Sequence, residues 1–184
     1  MTKPTAEGPA SPAELAELLV AAGAVRFGHF TLTSGESSDV YIDVKKAWTD
    51  PGTLRRLARA LAQRVGGADR LAGMELGAVP LVVAVALETG LPYVVLRKEA
   101  KQHGTRQAYE GTLVRGERVV LLEDVTTTGG STARSVGIVR EAGALVEEAV
   151  TVVDRERGAR ELLAGLGVRL ESLVRLSELK GPRT

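Results

Sequence analysis

A chain of 184 residues can form one domain with a sizeable core, and 44% hydrophobic with 26% charged residues is typical of a globular protein. A formal net charge of +1 and only 3% aromatic residues argue against nucleic-acid or acidic-membrane binding. With no Cys and two His, disulfides, thiol nucleophiles and Cys- or His-rich metal sites are excluded, so any metal should be a hard cation such as Mg²⁺.

The amino-terminal segment is polar and contains Pro, which predicts a disordered tail over residues 1–10 and a single domain over residues 11–184. The tail lacks the apolar core of a signal peptide. The longest apolar run, Ala78–Leu87, contains a Pro and is too short to span a bilayer. We therefore expect a soluble, cytoplasmic protein.

The first predicted helix begins after Ser11, where Ser-Pro-Ala-Glu forms a capping box with Pro at the first helical position, and it ends at Gly23. Short β-prone runs on either side of Ser34-Gly35 predict a hairpin-like unit between Val25 and Lys45. Residues 11–45 are thus expected to form a helix followed by a hairpin-like unit.

A second helix should begin at Asp50-Pro51-Gly52 and close at Gly66-Gly67, after which strands and helices alternate. Strands are predicted at Arg70–Met74, Tyr93–Arg97, Val119–Glu123 and Ala149–Val153, and helices at Val79–Thr89, Ser131–Ala142 and Ala159–Leu166. This alternation predicts an α/β fold with a mainly parallel, twisted sheet flanked by helices. The polar, Gly-containing stretch Lys98–Gly116 is predicted to be a long mobile loop.

A turn of small residues follows the strand that ends with Glu123 and Asp124. Two Gly let successive backbone N–H groups point inward, and the helix that follows favours an anion at its amino terminus. The turn matches neither a P-loop nor a dinucleotide-binding Gly motif. The paired acids stand directly before the turn. This arrangement suits a ligand whose sugar hydroxyls lie beside the phosphate of the same molecule, because the acids can accept from the hydroxyls while the turn binds the phosphate. The segment predicts a ribose 5-phosphate site; a solvated Thr/Gly-rich turn is the alternative.

The segment Arg97–Gly104 gathers three cations and a histidine after a predicted strand. Such donors would stabilise a diphosphate leaving group, whose charge grows as its bond to C1′ breaks. A loop that closes would also exclude water from a cationic sugar. On its charge pattern alone, a solvated basic loop is an equal alternative.

These motifs together resemble a known family. The run VLLEDVTTTGGST resembles the phosphoribosyl diphosphate motif of class I phosphoribosyltransferases, and EDVTTTGGS and RKEAKQHG are similar to segments of the orotate phosphoribosyltransferases. FGHFTLTSGESSDVYIDV resembles the family's N-terminal segment, which covers the base site, and GMELGAVPL resembles its diphosphate-side loop. The resemblance spans about Ala22 to Ala159. It implies the class I phosphoribosyltransferase fold, with residues 11–45 contributing a small N-terminal hood over the base site.

The resemblance implies transfer of the 5-phosphoribosyl group from phosphoribosyl diphosphate to orotate in pyrimidine biosynthesis, with Mg²⁺ held mainly by substrate and water rather than by the protein. The residues implied to bind phosphoribosyl diphosphate are Arg97, Lys98, Lys101, His103, Glu123, Asp124, Val125, Thr126, Thr127, Thr128, Gly129, Gly130 and Ser131. Of these, Arg97, Lys101 and His103 are implied to be catalytic through the diphosphate, with Lys101 the most important to the chemical step.

The family resemblance also implies that Arg155 and Thr127 contact orotate, since a guanidinium can grip its carboxylate in bidentate fashion. A surface Asp-Arg pair is the alternative for Arg155. Lys98 is implied to act across a homodimer interface. Some bacterial members carry Lys where this chain has Thr33 and Gly77, so neither position receives a catalytic role.

Two other functions stay open at this point. One is a phosphoribosyltransferase for a purine or a different pyrimidine. The other is a regulator that senses phosphoribosyl diphosphate without catalysis, although the chain shows no basic nucleic-acid face of the kind such regulators use.

Overall fold

The computed structural model describes residues 10–31, 37–99 and 107–179. Most of the predicted tail lies outside these ranges, as do Thr33, Ser34-Gly35, Lys101 and His103. The helices are α1 Pro12–Ala21, α2 Lys45–Trp48, α3 Pro51–Ala62, α4 Val79–Thr89, α5 Gly130–Glu141 and α6 Ala159–Gly165. The strands are β1 Val25–Thr31, β2 Ser37–Ile42, β3 Arg70–Met74, β4 Tyr93–Leu96, β5 Tyr109–Glu110, β6 Arg118–Thr126, β7 Leu145–Asp154 and β8 Arg169–Arg175. A 3₁₀ turn, Leu176–Glu178, follows β8.

The main sheet has six strands in the order β5-β4-β3-β6-β7-β8. The pairs β3–β4, β3–β6, β6–β7 and β7–β8 are parallel, and β4–β5 is antiparallel. The prediction of a mainly parallel sheet flanked by helices is therefore confirmed.

Apolar side chains project from both faces of this sheet. Leu71 and Leu122 belong to the core cluster that also contains buried residues of α1, α3 and α4. Their chain neighbours Ala72 and Leu121 belong to the second cluster, with buried residues of α5 and α6. Because successive strand residues face opposite sides, an uninterrupted apolar strand such as Val119–Leu122 can support helices on both faces.

The helix starts follow the predicted capping chemistry. The Ser11 backbone N–H donates to Glu14 Oε2 at 2.7 Å and the Glu14 N–H donates to Ser11 Oγ at 3.3 Å, which completes the capping box of α1. Asp50 Oδ2 accepts the Thr53 N–H at 2.7 Å at the start of α3. That helix ends at Ala62, before the predicted close at Gly66-Gly67.

The strands β1 and β2 form a separate two-stranded antiparallel sheet, as the hairpin-like pattern predicts. The register shifts between Phe27 and Phe30, so the ribbon contains a bulge. Arg26 stacks over the rings of Phe30 and Tyr41, at 5.6 and 5.0 Å from the ring centroids. The assignment of this segment as a hood over a base site stays a prediction.

The prediction of a long loop over Lys98–Gly116 is wrong at Tyr109–Glu110, where β5 lies inside the stretch, and residues 100–106 lie outside the described residues. The short strand pairs Leu96 with Tyr109 and Val95 with Glu110, and the Arg97 N–H donates to the Ala108 carbonyl at 2.8 Å. Backbone pairing to an edge strand needs no apolar pattern, and the sequence there is polar. The edge strand β8 and helix α2 were also not predicted.

The chain leaves β3 in one direction and β6 in the other. From β3 it crosses through α4, on one face, to β4; from β6 it crosses through α5, on the opposite face, to β7. The carboxyl ends of β3 and β6 thus flank the point where the strand order reverses, the usual place for a ligand in such sheets. Within the described ranges, no helix has the length and apolarity needed to cross a membrane.

Candidate active site

The loops that follow β3 and β6 meet at this point of reversal. A Cβ atom on Gly77 would lie 2.3 Å from Asp124 Oδ2, so the Asp124 carboxylate rests directly on the Gly77 backbone. The other carboxylate oxygen, Oδ1, accepts the Val125 N–H at 2.8 Å. The position of Asp124 therefore depends on the absence of a side chain at residue 77.

Closer to the sheet, Gly73 allows α4 to approach the strands. A Cβ atom there would lie 2.6 Å from Val82 Cγ2 and 3.1 Å from the Leu122 carbonyl oxygen. The peptide bond between Glu75 and Leu76 is cis. The two Gly of the GMELGAVPL segment thus serve close packing, one against a helix and one against a carboxylate.

Glu123 is a buried carboxyl group, only 7% exposed. Burial, and next the charge of Asp124, raise the pKa of Glu123 to about 8, against smaller opposing effects of Ser131, Lys98 and Thr132. The Ser131 hydroxyl donates to Glu123 Oε1 at 3.4 Å. The raised pKa favours the protonated form, which can both donate to and accept from a sugar hydroxyl.

The predicted cradle is a tight turn between β6 and α5. Thr126 is buried, whereas Thr127, Thr128 and Gly130 are exposed. Gly129 has φ +83°, and a Cβ atom on it would lie 3.1 Å from Ala159 Cα at the start of α6. The turn therefore packs closely against the start of α6. The first N–H groups of α5 have no acceptor within their own helix and can serve an anion.

Two of the predicted basic residues lie in the described ranges. Arg97 Nη1 donates to Glu110 Oε1 at 2.9 Å, which ties β4 to β5. The Lys98 backbone N–H donates to Glu75 Oε1 at 2.9 Å. The charge of Lys98 also lowers the pKa of Glu123 in the same chain, so Lys98 belongs to the same electrostatic environment as the cradle.

The backbone of Arg155 lies beside the cradle. Thr126 and Asp154 are paired across β6 and β7, and the Arg155 N–H donates to the Thr126 carbonyl at 2.9 Å. The backbone of Arg155 is thus next to the start of the cradle, close to Thr127. The sequence analysis gave no role to several polar residues around Arg155. These residues are Asp154, Glu156 and Arg160, and, on the side of Lys98, Glu75.

Comparison with known proteins extends this picture. Residues 49–166 match the family described as "Phosphoribosyl transferase domain". The orotate phosphoribosyltransferase of Thermoplasma volcanium is 49% identical over 166 residues, covering 90% of this chain and 99% of that protein. Its counterpart in Methanosarcina acetivorans is 52% identical over 168 residues, 90% of each chain. The crystal structure of orotate phosphoribosyltransferase from Aeropyrum pernix, 39% identical, covers 90% of this chain and 95% of that chain with a TM-score of 0.80.

Proposed function

The chain belongs to the phosphoribosyl transferase domain family and, within it, to the orotate phosphoribosyltransferases, and on that premise we propose that it transfers the 5-phosphoribosyl group of phosphoribosyl diphosphate to orotate. The products are orotidine 5′-monophosphate and diphosphate, a step of pyrimidine nucleotide synthesis. The observation that carries the proposal is the pair Glu123–Asp124 directly before a small-residue turn at the point where the strand order reverses.

In the proposed reaction, the bond from C1′ to the diphosphate oxygen breaks, and a bond from C1′ to N1 of orotate forms. The turn from Thr126 to Ser131 receives the 5′-phosphate, while Glu123 and Asp124 face the ribose hydroxyls. Arg97, Lys101 and His103 stabilise the departing diphosphate, with Lys101 the most important to the chemical step. No side chain needs to attack the sugar, because alignment of the two substrates and stabilisation of the leaving charge lower the barrier.

Orotate is held by Arg155 and Thr127 in this proposal. The Arg155 N–H donates to the Thr126 carbonyl, which holds the backbone of Arg155 next to the cradle. A carboxylate bound by the Arg155 guanidinium would therefore lie beside the sugar site. A planar guanidinium matches the two oxygens of a carboxylate, whereas a purine offers no such group. Arg155 therefore favours orotate over neutral bases.

The donor set suits Mg²⁺ that is bound mainly by substrate. Among the described residues, no group of three or more His, Asp or Glu could hold a metal ion. The paired carboxylates Glu123 and Asp124 could orient its water ligands, and Mg²⁺ commonly keeps several waters beside substrate phosphate oxygens. When bound, the ion would neutralise part of the diphosphate charge.

The proposed assembly is a homodimer in which Lys98 reaches the site of the neighbouring subunit. It rests on the resemblance of the Arg97–Gly104 segment to the shared loop of the family. We also propose that residues 11–184 act as one domain, with residues 11–45 over the base site.

The direct test is an assay of the purified chain with orotate, phosphoribosyl diphosphate and Mg²⁺. The proposed activity predicts a fall in orotate absorbance that requires both substrates. A parallel panel of adenine, guanine, hypoxanthine and uracil would identify a different base as acceptor. If no base is consumed while phosphoribosyl diphosphate still binds, the chain is a sensor of that compound, and the enzymatic proposal is wrong.

A further inference from the structure

A buried ion pair lies behind Arg155. The Asp154 carboxylate is fully buried, and its Oδ2 accepts Arg160 Nε at 2.7 Å. The same guanidinium donates to the Leu170 carbonyl at 2.8 Å and to Ser172 Oγ at 3.0 Å, both on β8. Asp154 at the end of β7 is thereby fixed to α6 and to β8.

The residue after Arg155 is held at both ends. The Glu156 N–H donates to Asp154 Oδ1 at 2.9 Å. Its carboxylate accepts the Ser177 N–H at 2.8 Å and the Ser177 hydroxyl at 3.1 Å. Glu156 also has φ +54°, a conformation that residues with a side chain rarely adopt. A strained residue persists where surrounding bonds determine its conformation, as these bonds do.

Arg155 therefore stands between two anchored neighbours, and its own N–H is bonded to the Thr126 carbonyl. The direction in which its side chain leaves the backbone is set by residues that lie on three other elements: α6, β8 and the 3₁₀ turn. A guanidinium that must meet a carboxylate in a bidentate geometry tolerates little displacement.

We propose that Asp154, Glu156, Arg160 and Ser177 are positioning residues that aim Arg155 at the carboxylate of orotate. The proposal rests on the proposed function. It assigns the specificity for the acid-bearing base to a network outside the cradle, anchored at the carboxyl-terminal end of the chain's last described strand. Because none of these four side chains belongs to the cradle, removing one of them should act on the base and leave the binding of phosphoribosyl diphosphate unaffected.

The test is the kinetics of Glu156→Ala, which removes the anchor to Ser177 and leaves Arg155 in place. We expect KM for orotate to rise about tenfold, while KM for phosphoribosyl diphosphate stays within about twofold of the wild-type value. Glu161→Ala is the matched control, since it removes an exposed carboxylate of equal charge from the adjacent α6. Ser177→Ala, which removes only the hydroxyl contact, should give a smaller rise in the same direction.

A double-mutant cycle separates positioning from general loss of structure. In an Arg155→Ala background, Glu156→Ala should have little further effect on KM for orotate, because the side chain that it positions is gone. Additive effects, an equal rise in both KM values, or no difference between Glu156→Ala and Glu161→Ala would each overturn the proposal.

The same measurements distinguish failure of the inference from failure of the proposed function. If the wild-type enzyme is active and KM for orotate rises in Arg155→Ala but not in Glu156→Ala, the positioning network is rejected and the proposed function stands. A wild-type chain that neither converts orotate nor binds it in titration calorimetry would reject the proposed function and the network with it.

Discussion

At the scale of single residues, Glu123 combines burial with a position directly before the cradle. Its pKa is raised from an ordinary value of 4.5 to about 8, first by burial and then by the charge of Asp124. The folded protein therefore binds this proton more tightly than the unfolded chain between these two pH values. The resulting stabilisation is complete below pH 4.5 and is lost as the pH rises through about 8.

Replacing Glu123 by Gln should remove this pH dependence, because the amide cannot ionise. We expect the variant and the wild type to have similar free energies of unfolding near pH 5. The variant should become the more stable of the two by pH 9, by on the order of 3 kcal/mol. Urea unfolding at pH 5, 7 and 9 measures the difference, and other titrating groups cancel in the comparison. A difference that does not change with pH would show that Glu123 is already ionised in the fold.

Gly77 is the second residue whose role is local. A Cβ atom there would meet the Asp124 carboxylate at 2.3 to 2.8 Å, which forces the carboxylate to move. Because a carboxylate is the far end of a side chain, moving it should cost less than about 1 kcal/mol of stability. We expect Gly77→Ala to raise KM for phosphoribosyl diphosphate about tenfold through the displaced Asp124.

Gly137→Ala provides the control for this substitution, since nothing lies within 4 Å of a Cβ atom at that position of α5. Gly137→Ala should leave kcat and KM for phosphoribosyl diphosphate unchanged. If Gly77→Ala also left KM for phosphoribosyl diphosphate unchanged, the contact between residue 77 and Asp124 would have no part in substrate binding.

At the scale of elements, the cradle depends on the contact between the start of α5 and the start of α6. Gly129 has φ +83°, and a Cβ atom would approach Ala159 Cα and Cβ at 3.1 and 3.2 Å. Backbone strain and the close contact both oppose Gly129→Ala, so we expect a loss of about 2 kcal/mol in the free energy of unfolding. Gly130→Ala meets nothing within 4 Å and should cost less than about 0.5 kcal/mol. Urea unfolding of the two variants side by side tests this, and equal losses would contradict it.

The elements that the sequence predicted well carry strong local signals. Strand β3 and helix α4 have the predicted bounds. The turns on either side of β3 and the Gly90 cap of α4 mark where these apolar segments end. The strands β6 and β7 are longer than predicted, because the residues beyond the predicted bounds are also paired through the backbone with neighbouring strands. Strand β5 has two residues and is defined by its pairing to β4, which local sequence does not reveal.

The candidate site divides in a similar way. Glu123, Asp124 and the small-residue turn are consecutive in the chain, so their proximity could be predicted from sequence. The contact of Asp124 with Gly77 joins two loops that meet only because β3 and β6 are neighbours in the sheet. The network around Arg155 likewise joins three elements distant in sequence. Such contacts require the strand order, which the periodicity of a single chain does not supply.

At the scale of the whole molecule, Lys98 can serve the site of its own subunit or that of the neighbouring subunit. Within one chain, the Lys98 N–H donates to Glu75 Oε1, and the charge of Lys98 lowers the pKa of Glu123, so action in its own site is one possible arrangement. The resemblance of its segment to the shared loop of the family predicts action in the neighbouring subunit instead. These two arrangements differ in what a mixed dimer can do.

Dimers formed by co-expressing Lys98→Ala with Arg155→Ala distinguish them. If Lys98 acts across the interface, each mixed dimer has one site with both lesions and one intact site. At an orotate concentration well below the wild-type KM, where weaker orotate binding lowers the rate, random pairing should then restore about a quarter of the wild-type rate per subunit, because about half of the dimers are mixed. If Lys98 acts in its own subunit, every mixed dimer has one lesion in each site, and activity should stay at the level of the separate variants. Pairing Asp124→Asn with Arg155→Ala is the control, since both residues lie at the cradle of one chain, and it should restore nothing in either case.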